Sequence, residues 1–67
     1  MQYGEIKMYD PIKAFGFIVD EDQDEFFFSK SDLHPKSRNQ PLREGTRVGF
    51  DVKREMRGDK AINVRIL

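Results

Sequence analysis

Lys13-Ala14-Phe15-Gly16-Phe17-Ile18, followed after an acidic break by Glu25-Phe26-Phe27-Phe28-Ser29, decides the fold of this chain. Side chains of a strand point alternately to opposite faces. Phe15 and Phe17 therefore share one face, and Gly16 and Ile18 share the other. Ile18 is a good core residue, so two rings are left facing away from the core, across a glycine that lets something approach the backbone. The second run leads to the same place. With Phe26 and Phe28 directed inward, Phe27 points out beside Phe15 and Phe17. Burial of these strands on both faces would remove the difficulty, but that arrangement belongs to parallel sheets covered by helices. No window of this sequence sustains a 3.6-residue period. A contiguous exposed aromatic patch usually marks an interaction site.

Further strands flank these two runs. Gln2–Tyr9 alternates around Ile6 and breaks at Lys7-Met8. Asp10-Pro11 is a turn signal. Ala14–Val19 and Glu25–Ser29 form a hairpin across the polar loop Asp20–Asp24. Ser31-Asp32-Leu33 is predicted to make a short helical turn, and His34–Pro41, with its two prolines, a loop. After a turn at Glu44-Gly45, Arg47–Arg54 alternates cleanly with Val48, Phe50 and Val52 on one face. A turn around Gly58 leads to Lys60–Leu67, where alternation predicts Ile62, Val64 and Ile66 inward. Five short strands at this spacing suggest a sandwich or a barrel. At this length, closing the sheet removes edges that a sandwich would leave unpaired. The expectation is an all-β fold, a five-stranded antiparallel closed barrel of the oligonucleotide-binding (OB-fold) type, forming one domain over residues 1–67.

Composition bounds the function. A chain of 67 residues buries about 60% of its unfolded surface, which leaves no room for both a core and a deep catalytic pocket. The expectation is a protein that is not an enzyme. The chain has no cysteine, so disulfides and thiolate metal sites are excluded, and a secreted domain of this size usually needs such staples. No apolar run approaches the ~20 residues that span a bilayer. A cytoplasmic location is expected. Twelve basic residues balance twelve acidic ones, but the distribution is uneven. Residues 1–33 carry three lysines against eight acids, and residues 34–67 carry nine Lys and Arg against four acids. Folding the halves together gives a dipolar surface.

Aromatic rings beside cations suit single-stranded nucleic acid: bases stack on the rings, at about 1–3 kcal/mol per base, while cations track the phosphates. Lys7 and Lys13 flank the first aromatic strand and are placed to be those cations. Other motifs fail on their own terms. Asp20, Asp22 and Asp24 have the spacing that opens a calcium loop, but the sixth position is Glu25 rather than Gly and the twelfth is Ser31 rather than Glu. Arg57-Gly58-Asp59 reads as a β-turn with a necessary glycine. His34 is the only histidine and has no partners for a metal site or a triad. No metal and no cofactor is expected.

At these same residues the sequence resembles the cold-shock domain family. Lys13–Ile18 is similar to the family's first ribonucleoprotein motif, K-G-F-G-F-I, with Ala14 in place of the first glycine. Glu25–Ser29 is similar to the second, D-V-F-V-H. Gly4–Tyr9 resembles the opening G-x-V-K-W-F, Leu42–Gly45 resembles L-x-E-G, and Ala61–Val64 resembles A-x-N-V. The match runs in register along essentially the whole chain, with about one extra residue in the long loop. The resemblance implies a closed five-stranded barrel, single-stranded RNA or DNA as partner, and often RNA-chaperone or regulatory activity. Carried over by position, the site comprises Lys7, Met8, Tyr9, Lys13, Phe15, Phe17, Phe27, Ser29, Lys30 and Arg38. Met8 stands where the family usually has Trp, Ser29 where it has His, and Lys30 where it has Phe; the long-loop aromatic is missing near Arg38 and Asn39. These departures leave two alternatives open. Lys30 and Arg38 substitute charge for stacking in a monomeric strand-binding protein, or the ring patch serves instead to dock a protein partner or a second copy of the chain.

Overall fold

A computed structural model describes residues 1–67 as five strands and two 3-10 turns. The strands are β1 (Gln2–Asp10), β2 (Phe15–Asp20), β3 (Glu25–Ser29), β4 (Arg47–Glu55) and β5 (Gly58–Ile66); the 3-10 turns span Lys30–Asp32 and Pro35–Ser37. The sheet closes on itself in the order β1-β2-β3-β5-β4. Closure is what a sheet of short strands needs to leave no edge for other chains to pair with. No helix is long and apolar enough to cross a membrane.

The barrel is antiparallel at every seam but one. β3 meets β5 in parallel, through Phe27 opposite Lys60, which corrects the expectation of a wholly antiparallel sheet. The reason lies in the connection: the chain leaves β3, passes through the two 3-10 turns, and returns as β4, antiparallel to β1. β5 is then left to run alongside β3 in the same sense. A second parallel bridge, Leu33 with Val64, continues this seam beyond the end of β3.

The core is Ile6, Ile18, Phe26, Phe28, Leu33, Val48, Phe50, Ala61 and Val64. Phe26 and Phe28 point inward as alternation requires, and Phe26 packs on Phe50 with ring centroids 5.1 Å apart. Each fully buried side chain of this size contributes roughly 1.5–3 kcal/mol, so in a small barrel these few residues carry most of the driving force.

Strict alternation fails in β5. Ala61 and Val64 are buried, while Ile62 is only half-buried. Asn63 takes a left-handed backbone (φ 51°), and the β4–β5 register shifts between Gly49 and Asp51. The extra residue moves the inward position from Ile62 to Ala61. Asparagine tolerates this conformation, and its side-chain amide donates to Asp51 Oδ2 at 3.2 Å.

Candidate nucleic-acid interface

Strand register brings the predicted aromatic residues together on the outer face. Met8, Phe17 and Phe27 stand in one row across β1, β2 and β3, and Asp10, Phe15 and Ser29 in the next. Phe27 stacks on Phe15 with centroids 5.7 Å apart and meets Phe17 edge-on at 5.8 Å; Phe15 and Phe17 make an edge contact at 6.1 Å. These spacings and tilts are the ones aromatic pairs favour. The three rings cover part of one another: Phe15 and Phe17 are half-buried, while Phe27 stays 39% exposed. Val19 lies on the same face of β2 and prolongs the apolar strip; alternation alone could have identified it.

Gly16, between the rings, has a structural task. A Cβ there would lie 2.5 Å from the Met8 carbonyl oxygen and 3.0 Å from the Phe28 ring. What approaches the backbone at this glycine is therefore the protein's own core, on the face opposite the rings. Tyr9 follows the same geometry. It stands opposite Gly16, packs against the core, and stacks on Phe28 at 5.8 Å with the planes 10° apart. The structure leaves it half-buried against the core, lining a groove with Lys30 and Arg38.

The break at Lys7-Met8 is a β-bulge: the β1–β2 register shifts between Ile6 and Met8. A bulge re-aims side chains, and here it sends both Lys7 and Met8 outward, with Met8 38% exposed beside Phe17. Lys7 Nζ is paired with Glu25 Oε2 at 2.8 Å. Lys13 is exposed and makes no ion pair. It sits in a tight turn where Asp10 Oδ1 accepts the backbone N–H groups of Ile12 and Lys13 at 2.9 and 3.1 Å. Ala14 closes that turn with φ 58°.

Ser29 faces the ring cluster, but its hydroxyl is engaged. It donates to Asp32 Oδ2 at 2.9 Å, lies 2.8 Å from Ser31 Oγ, and its backbone N–H also reaches Asp32 Oδ2 at 2.9 Å. Ser29 thus holds the start of the first 3-10 turn. Asp32 also accepts from Lys60 Nζ at 3.0 Å. Burial pushes the Asp32 carboxyl up, but the hydrogen bonds from Ser29 and Lys60 and the Lys60 charge outweigh it and hold the group below its ordinary value. Lys60, opposite Phe27 on the neighbouring strand, is a cation beside the rings that sequence reading missed. Only the parallel seam brings it there. Lys30 and Arg38 are exposed and lie together with Tyr9 around a groove at the end of the cluster.

Asp20, Asp22 and Asp24 bring oxygens within 4.8 Å of one another. Asp20 Oδ1 accepts the backbone N–H groups of Asp22 and Asp24, both at 2.9 Å, as expected of a solvated hairpin turn.

Comparison with known proteins agrees with this geometry. Residues 2–67 match the family model of the 'Cold-shock' DNA-binding domain. The chain is 37% identical over 65 residues to the cold shock protein CspC of Bacillus subtilis, covering 97% of each. It is 36% identical over 64 residues to the major cold shock protein of Streptococcus pyogenes serotype M6, covering 96% of this chain and 94% of that one. Among solved structures it is similar in fold to drosophila Unr CSD456, with a TM-score of 0.77 and 22% identity, over 98% of this chain and 26% of that one.

Proposed function

The chain belongs to the cold-shock domain family, and from that premise we propose that it binds single-stranded RNA or DNA as a non-catalytic, cytoplasmic module formed by residues 1–67. Bases stack on Phe15, Phe17 and Phe27, and Met8 adds an apolar contact at the edge. Lys13 neutralises phosphate along one side, Lys30 and Arg38 at the end; Lys7 lies beside the rings with its ammonium held by Glu25 and joins them when that carboxylate is removed. The ring cluster on the outer face carries this reading. Three rings within 6.1 Å of one another on a solvent-facing sheet are redundant for the core, which is complete beneath them. Every base has a π-face, so such a platform tolerates many sequences.

Titration with labelled poly-pyrimidine and poly-purine single strands at rising salt tests it. Binding is expected to weaken as salt rises, with a log–log slope of about −0.7 per phosphate neutralised. No strand binding at low salt, together with concentration-dependent dimerisation in the ultracentrifuge, would establish the patch as a protein-docking surface instead.

A further inference from the structure

Between the second 3-10 turn and the end of β5 lies a second groove, on a wall of the barrel that carries no ring. It is lined by His34, Lys36, Ser37, Gln40, Arg65 and Ile66. No acidic side chain and no residue of β1, β2 or β3 lines it, and it shares only Gln40 with the groove of Tyr9, Lys30 and Arg38. Strand register sets Arg65 opposite Gly49 and Gly49 opposite Tyr3, on the side of β1 away from β2.

The donors of this groove are uncommitted. Lys36 and Arg65 are exposed, and the ion pairs of the fold, Lys7–Glu25, Arg47–Glu5 and Lys60–Asp32, use neither. Ser37 is the one buried polar side chain of the barrel, at 4% exposure. Its Oγ accepts the Ile66 N–H at 3.2 Å, and its own O–H meets no acceptor in the fold. A hydroxyl donates as well as accepts, and a buried donor left unpaired is costly. His34 Nδ1 accepts the Lys36 N–H at 3.2 Å, so the neutral imidazole carries its proton on Nε2, a further donor. The turn that presents these groups is tied down. Gln40 Nε2 donates to the Lys36 carbonyl at 3.3 Å, and the Ser37 N–H to the His34 carbonyl at 2.7 Å.

We propose that this groove binds the phosphodiester backbone of a second nucleic-acid strand while a first lies on Phe15, Phe17 and Phe27. The two-strand role rests on the stacking function proposed above; the affinity of the groove for phosphate does not. Two cations, a hydroxyl and an imidazole N–H offer more donors than the two oxygens of a carboxylate use, and the planar fork of Arg65 matches phosphate. The groove has no ring on which a base could stack, so it takes backbone irrespective of sequence. Holding two strands on one small barrel raises the effective concentration of each for the other.

The test follows backbone amides by NMR. The probes are an abasic deoxyribose-phosphate octamer, which has phosphates but no base to stack, and a thymidine trinucleotide for the rings. The octamer is expected to shift the amides of Lys36, Ser37, Arg65 and Ile66, alone and with the rings saturated by trinucleotide. In the double variant Lys36→Gln, Arg65→Gln, whose altered side chains make no hydrogen bond in the fold, these shifts are expected to vanish. The salt slope of octamer binding should become shallower by about 1.4 for two lost phosphate contacts. A fourfold rise in salt then costs the parent about sevenfold more affinity than the variant. Lys36→Arg is expected to keep the parent response. Still groove amides in the parent, or equal shifts in the variant, would overturn the site. An equal response to a poly-glutamate peptide would overturn phosphate recognition and make the groove a seat for acidic protein. Loss of the groove shifts once trinucleotide fills the rings would overturn the second strand. A trinucleotide that leaves the amides of Phe15, Phe17 and Phe27 unmoved would instead overturn the stacking function and the two-strand role with it, while the octamer alone still reads the groove.

Discussion

Lys7 Nζ lies 2.8 Å from Glu25 Oε2, tying the bulge of β1 to the first residue of β3 at the border of the ring cluster. Both side chains are about half exposed (54% and 48%), so the pair contributes at most about 1 kcal/mol to stability. Its effect falls on binding, because the carboxylate occupies the ammonium that a phosphate would use. Glu25→Gln is expected to raise affinity for single strands and to steepen the log–log salt slope by about 0.7, while the melting temperature barely moves. An unaltered slope in Glu25→Gln would remove Lys7 from the phosphate contacts.

Truncating the rings separates stacking from folding. Phe15→Ala, Phe17→Ala and Phe27→Ala are each expected to weaken strand binding by about 1–3 kcal/mol. Phe27, the most exposed of the three, is expected to give the smallest loss of stability. Binding titrations beside denaturant melts check this; variants that unfold yet bind normally per folded molecule would place the rings in the core's service alone.

Met8 stands in the same cross-strand row as Phe17 and Phe27 and offers an adaptable thioether where a flat ring would stack. Met8→Trp is expected to tighten strand binding by about 1–3 kcal/mol, chiefly through slower dissociation, since the steering charges are unchanged. Stopped-flow dissociation rates measure it. Ser29→His is expected to behave differently: it removes the hydroxyl bonded to Asp32, so a gain in stacking comes with a loss of stability.

Ala14 holds a left-handed backbone at φ 58°, a conformation that costs a residue with a Cβ about 1–2 kcal/mol. Glycine adopts it freely, at the expense of greater unfolded-state entropy. Ala14→Gly is expected to stabilise the barrel by about 0.5–1 kcal/mol. For a domain of this size that is a rise in melting temperature of roughly 2–8 °C, measurable by calorimetry.

Asp32 gives the barrel an acid-sensitive joint. Its carboxyl lies below the ordinary 3.8 in the folded state, so the folded protein binds this proton less readily than the unfolded chain. The stability this contributes is fully present above the unfolded value and is lost as pH falls below 3.8 through the folded one. Asp32→Asn is expected to lower stability at neutral pH and to flatten the decline below about pH 4. Denaturant midpoints of parent and variant between neutral and strongly acid pH compare the two, and parallel curves would count against the joint.

Alternation along β2 and β3 was enough, on sequence alone, to send Ile18, Phe26 and Phe28 inward and Phe15, Phe17 and Phe27 outward, because the direction of a side chain on a pleated strand is a local property of the backbone. The turns at Asp10-Pro11, Asp20–Asp24 and Glu44-Gly45 were legible for the same reason, and with them the strand count and the barrel. What depends on register between distant strands was not. The parallel seam that sets Lys60 beside Phe27, the bulge at Asn63 that exchanges Ile62 for Ala61, and the inward turn of Tyr9 onto Phe28 each follow from how strands slide against one another. The Lys7–Glu25 pair and the groove of Lys30 and Arg38 likewise exist only once the barrel closes. Tertiary structure alone decided which cations are already neutralised and which remain free for a phosphate, because charges far apart in the chain become neighbours only through that closure.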